Sequence, residues 1–62
     1  MITKFTNALG SIVYAQTDEQ LCDADFKLNS SIMINGYFHI VLAHHIEIVG
    51  ESAERIIIVS KA

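Results

Sequence analysis

The stretch from Ser31 to Val49, SIMINGYFHIVLAHHIEIV, constrains the fold more than any other part of this chain. Asn35-Gly36 sits between two runs of β-branched and aromatic residues. A two-residue type I′ turn requires two positions that accept positive φ, so a β-hairpin is expected here. Ile32, Met33 and Ile34 lead into the turn, and Tyr37, Phe38, His39 and Ile40 leave it. The second arm then runs to Val49 with no proline or glycine to stop it. Straight, it would extend roughly 43 Å at about 3.3 Å per residue. A compact domain of this length has a radius of gyration near ~11 Å and a diameter of about 25–30 Å. The arm must therefore bend, break near Ala43-His44-His45, or protrude and pair with another chain. Alternation places Phe38, Ile40, Leu42, Ile46 and Ile48 on one face, which is expected to be the core face. Tyr37, His39, Val41, Ala43, His45, Glu47 and Val49 take the other. The apolar phase does not change across the histidines, which favours a smooth bend over a single-residue bulge.

The remaining chain is read around this hairpin. Ile2, Phe5, Leu9 and Ile12 recur at helical spacing and Gly10 would end a helix, so a short N-terminal amphipathic helix or turn is expected over residues 1–10. Ser11 to Gln16, SIVYAQ, reads as a strand. Thr17-Asp18-Glu19-Gln20 fits a capping box or a turn, and the turn is preferred. The reason is that Cys22, Ala24, Phe26 and Leu28 then alternate with Asp23, Asp25 and Lys27, as in a half-buried strand. Gly50 to Ala53 forms a turn, and Glu54 to Ser60, ERIIIVS, is a last strand, apolar on both faces and so suited to a central position.

These elements describe a mainly β protein with one domain, residues 1–62. The expected architecture is a small antiparallel sheet of about five strands, curled into a partly open barrel of SH3-like or Sm-like layout. A short N-terminal helix precedes it if residues 1–10 are helical; a small α+β, ferredoxin-like arrangement is the alternative if Thr17 caps a helix. Sixty-two residues bury only roughly 60% of their unfolded surface, and a core of this size rarely supplies more than about 3–5 kcal/mol. Cys22 is the only cysteine, so no intrachain disulfide assists. With 52% hydrophobic and 18% charged residues, apolar surface exceeds what the chain can cover, and self-association is the natural outlet.

Function is less legible than fold. The formal charge is −3 and the cations, Lys4, Lys27, Arg55 and Lys61, are scattered, which argues against a nucleic-acid backbone as partner. The acidic group Asp18, Glu19, Asp23 and Asp25 reads as a solvated face. No basic leader precedes an apolar run and no segment reaches ~18 apolar residues, so the expectation is a cytoplasmic protein without a membrane span. His39, His45 and Glu47 share a face by parity and are weak metal-ligand candidates; no metal and no cofactor are expected. His44 falls on the expected core face. It reads either as a hydrogen-bonded corner histidine or as a pH-sensitive contact at a subunit interface. Cys22 reads as a buried, inert thiol. No G-x-S-x-G turn and no glycine-rich phosphate loop occur, so no catalytic residue is assigned. The leading expectation is a non-enzymatic interaction protein, such as an accessory or inhibitor protein of a phage or mobile element. It would form a homo-oligomer through apolar strands and bind a protein partner. Val41, Ala43, His44, His45, Val49, Ile57 and Val59 are its expected interface residues. The alternative is an Sm-like ring that binds single-stranded RNA.

Overall fold

The computed structural model describes the backbone of residues 1–62 and every side chain but that of Asp23. Asp23, one of the four acidic residues expected on a solvated face, therefore lies outside the described side chains. Five strands form one sheet: β1 (Ile2–Thr6), β2 (Val13–Thr17), β3 (Ser31–Ile34), β4 (Tyr37–Val49) and β5 (Ser52–Lys61). Their spatial order is β2-β1-β5-β4-β3. The sheet curls into a nearly closed barrel with one open seam. The expected mainly β, partly open barrel is thus the observed fold. One ladder differs from the expectation: β1 and β5 run parallel, whereas the other three neighbouring pairs are antiparallel.

The hairpin forms where the sequence places it. Asn35 and Gly36 have φ of 51° and 88°, so both central residues of the two-residue turn occupy the region that Asn and Gly tolerate. Ser31 to Ile34 pairs with Tyr37 to Ile40 across it. At the other end of β4, Gly50 with φ of 60° opens an equally short connection, since Val49 already pairs with Ser52.

Two local readings are corrected. Residues 2–6 are a strand rather than a helix, because β-branched Ile2, Thr3 and Thr6 with Phe5 suit a pleated, half-buried surface. The loop after it is closed by Asn7, whose backbone N–H donates to Ile12 O at 3.1 Å and whose side-chain Oδ1 accepts from Ile12 N–H at 3.0 Å. The second correction concerns Cys22 to Leu28, which is no strand. Thr17 ends β2 in a turn, its Oγ1 accepting from Glu19 N–H at 3.2 Å, and residues Asp23–Phe26 form a single 3-10 turn. That turn delivers Phe26 to the core, where its ring lies 5.7 Å from Phe5 and 6.4 Å from His44, edge-on to both. Two helical residues apart, an alternating pattern cannot keep one face, so Ala24 and Leu28 end up exposed while Phe26 is buried.

The largest correction lies within β4. The β4–β5 ladder pairs Val41 with Val59 and Ala43 with Ile58, leaving Leu42 as an extra residue. This is a β-bulge, and one inserted residue exchanges the faces of everything beyond it. Before the bulge, His39 and Val41 point inward; after it, His44 does, paired with the fully buried Ile57. The expected core face is therefore overturned up to the bulge, whereas beyond it His44, Ile46 and Ile48 keep the expected side, with Ile46 and Ile48 exposed nonetheless. Phe38, Leu42, Ile46 and Ile48 are exposed, and the core consists of Phe5, Phe26, Ile34, Val41, Ile57 and Val59, with Tyr14, Ala15, Leu21 and Ile32 packed against it. The bulge also resolves the length problem, since the longest dimension of the molecule is 34 Å, shorter than a straight β4 would be.

Candidate functional site: a projecting strand arm and two barrel mouths

β4 outruns its neighbour. β3 ends at the pair Ser31–Ile40, and one further step of the chain is held by Asn29 N–H to Val41 O at 2.8 Å and Val41 N–H to Ser30 O at 2.9 Å. From Leu42 to Val49 the strand has β5 on one side and, among the described residues, no strand on the other. Phe26 of the 3-10 turn packs against the His44 ring near the start of this stretch, and a strand without a second neighbour is the kind of edge that accepts another strand. Natural edges are usually guarded by lysine or proline; between Leu42 and Val49 there is neither, and Glu47 is the only acidic residue. Leu42, Ile46, Ile48 and Val49 are exposed along this edge, Ile48 at 72%.

The expected interface residues separate into two groups. Val41, Ile57 and Val59 are core residues with at most 1% exposure, so their side chains cannot present a surface, which corrects that expectation. The reason is the bulge together with the central position of β5, whose inner face carries Ile57 and Val59 and whose other face carries half-buried Ile56 and Ile58. Ala43 and His44 are half-buried at the bulge, and His45 and Val49 are exposed on the free arm. Leu42, Ile46 and Ile48 belong to the arm, although parity alone assigns them to the core. The signal that finds them is length: the Asn29-Ser30 turn leaves β3 only four residues, so a thirteen-residue partner must project beyond it.

The weak metal candidates are separated by the same bulge. His39 is 4% exposed inside the barrel, its Nδ1 2.9 Å from Tyr37 O and its ring 5.2 Å from that of Tyr14. His45 and Glu47 lie together on the opposite face of the sheet, exposed. Among the described residues no group of three His, Cys, Asp or Glu side chains comes together. Cys22 is exposed, not buried as its alternation suggested, because it precedes the 3-10 turn instead of lying in a strand.

The barrel has an opening at each end. One holds a cavity of about 240 Å³ lined by Tyr14, Ile34, Asn35, Tyr37, His39 and Lys61, with Lys61 Nζ 4.2 Å from the centre of the Tyr37 ring. Asn35 Nδ2 reaches Tyr14 O at 3.5 Å here, bridging the seam between β2 and the β3–β4 turn. At the other end Arg55 Nη1 donates to Leu21 O at 3.0 Å, beside Thr3 and Cys22. Lys4 pairs with Glu54 at 2.6 Å on the outside of the sheet. The cations are thus spread over both ends and the outer face, and they form no continuous stripe. No helix of the structure is long and apolar enough to cross a membrane.

Comparison of the chain with protein families, with curated proteins and with solved structures found no match. The class that the geometry defines is a small, five-stranded, partly open β-barrel with a projecting two-stranded arm.

Proposed function

We propose that this chain is a non-enzymatic interaction protein of the cytoplasm that works as a homo-oligomer, joined through the free edge of β4, and that the assembled surface binds a protein partner. The observation that carries this reading is the end of β4 from His45 to Val49, which outruns β3, has no lysine or proline to guard it, and exposes Ile46, Ile48 and Val49. Strand addition supplies main-chain hydrogen bonds for affinity and alternate side chains for specificity, so such an edge needs no deep pocket. The exposed area supports the reading. The chain exposes 4348 Å², whereas a monomer of its mass is expected to expose roughly 4,000 Å².

A native mass spectrum at two concentrations, set against the denatured mass, tests it. A dimer or closed ring without extra mass is the expected result, and a monomer at both concentrations overturns the reading. An RNA-binding ring predicts, in addition, salt-dependent binding of single-stranded RNA; the acidic balance and dispersed cations predict that this binding is absent.

A further inference from the structure

We infer that the barrel mouth between the β3–β4 turn and the end of β5 is a binding site for a small aromatic carboxylate, its ring held among Tyr14, Tyr37 and His39 and its acid group on Lys61. The site goes beyond the proposed self-association and does not depend on it.

The strand ladders build this mouth. On β5 the inward row of Ile57 and Val59 continues by alternation to Lys61, which pairs with His39 on β4. On β4 the inward row of Val41 and His39 continues to Tyr37, which pairs with the buried Ile34 on β3. The same two rows are thus aliphatic in the middle of the barrel and aromatic or cationic at this end. Tyr14 of β2 completes the wall across the seam, its ring 5.2 Å from that of His39 at an angle of 54°. The cavity that these side chains line measures about 240 Å³. A cavity of ~150 Å³ accepts benzene and drug-sized ligands need roughly 300–1,000 Å³, so the space suits one ring with one short substituent.

The lining selects the chemistry of the guest. Ring walls favour an aromatic group, because edge-to-face and offset contacts add to the burial of its surface. The His39 ring is fixed for this role: its Nδ1 lies 2.9 Å from the Tyr37 carbonyl, which can only accept, so Nδ1 carries the proton. Charge comes from Lys61 alone, whose Nζ stands 4.2 Å from the centre of the Tyr37 ring; among the described residues no Asp or Glu lines the cavity. A cationic guest would meet that ammonium with nothing to offset it, and an anionic one is attracted. Asn35 at the rim supplies an amide donor, since its Nδ2 makes only a long contact, 3.5 Å, with Tyr14 O. A phosphate calls for more, usually an Arg fork or a nest of backbone N–H groups. One ammonium and one amide match a carboxylate.

Benzoate titrated into isotope-labelled protein and followed by NMR tests the site, with benzyl alcohol and benzylamine as neutral and cationic probes of similar size. Benzoate is expected to bind with a Kd of about 1 mM, the range open to so few atoms, and to shift the signals of Tyr14, Asn35, Tyr37, His39 and Lys61. Benzyl alcohol should bind about tenfold more weakly, and benzylamine more weakly still. Lys61→Gln, at an exposed position, should keep the native spectrum and lose about tenfold in benzoate affinity with no loss for benzyl alcohol, which separates charge from shape. Tyr37→Ala, also exposed, should weaken both probes. The assignment is overturned by benzoate that leaves these signals unmoved at about ten times the expected Kd, by benzylamine binding as tightly as benzoate, or by unchanged benzoate affinity in Lys61→Gln. A monomer that binds benzoate overturns self-association alone, and an oligomer that does not bind it overturns this site alone.

Discussion

β4 is one strand with two fates. From Tyr37 to Val41 it lies between β3 and β5; from Leu42 to Val49 it has β5 alone. The two halves have similar composition, YFHIV against LAHHIEIV, and each carries histidine among aliphatic residues. Yet in the first half a histidine is buried and packed at a tilt against Tyr14, and in the second half isoleucines stand in the open. Apolarity therefore does not decide burial along this strand. The number of neighbouring elements does, and a one-residue bulge at the border between the halves sets which side chains those neighbours receive.

The comparison is broken most severely by placing the same charge in each half. Val41→Asp puts a carboxylate at a site with no exposure, opposite Val59. Burying an unpaired charge costs several kcal/mol, comparable with the ~3–5 kcal/mol that a core of this size supplies, so the variant is expected to be unfolded by circular dichroism. Ile48→Asp, on the free arm, should keep the native spectrum. Should the two variants unfold alike, the halves are not energetically distinct.

Next in size is Phe26→Ala. Phe26 comes from outside the sheet and packs on Phe5 and on the His44 ring, just past the bulge, so it covers the point where β4 loses β3 as a neighbour. Its truncation is expected to cost about 3–5 kcal/mol, read as the shift of a urea unfolding midpoint. A smaller effect is expected at the turn that begins the doubly flanked half. Gly36→Ala forces a side chain into φ of 88° and should cost about 1–2 kcal/mol by strain alone, since open space surrounds the position.

How much of this was legible in the sequence follows from the same strand. The hairpin turn, the bounds of β3 and β4, the central place of β5 and the partly open barrel were readable, because turn chemistry and β-branched runs act locally. The inward face of β4 was legible only in part. Both faces carry apolar residues, so alternation offers two answers, and the richer face is the outer one before the bulge and the inner one beyond it. A bulge leaves no mark in a run such as Ile40-Val41-Leu42-Ala43, where every residue suits either side. The same ambiguity misplaced Val41, Ile57 and Val59 at an interface, and His39 beside His45. Cys22 to Leu28 misled for a different reason: four residues of 3-10 turn are too few to show a helical period, and Phe26 alone carries the burial. The arithmetic of length, a feature of the whole hairpin rather than of any one residue, left a bend, a break or a protruding arm open, and the structure shows a bulge near Ala43 with an arm beyond it.

The smallest effect on stability separates the two halves most finely. Ile48→Lys replaces a 72%-exposed side chain beyond the bulge, and Phe38→Lys replaces a 57%-exposed one on the outer face of the doubly flanked half, opposite Met33. Neither residue belongs to the core, so each variant should keep its unfolding free energy within about 0.5 kcal/mol of the parent monomer. Their effects on assembly should differ. Lysine on an open strand edge disfavours strand addition through its charge and its hydration, so Ile48→Lys is expected to be monomeric by native mass spectrometry. Phe38 lies where both edges of β4 are already paired, and its lysine variant should assemble like the parent. If instead Phe38→Lys dissociates the protein and Ile48→Lys does not, the contact between copies is made by the outer sheet face around Met33, Phe38 and half-buried Ile40, and the free edge of β4 is not the joining surface.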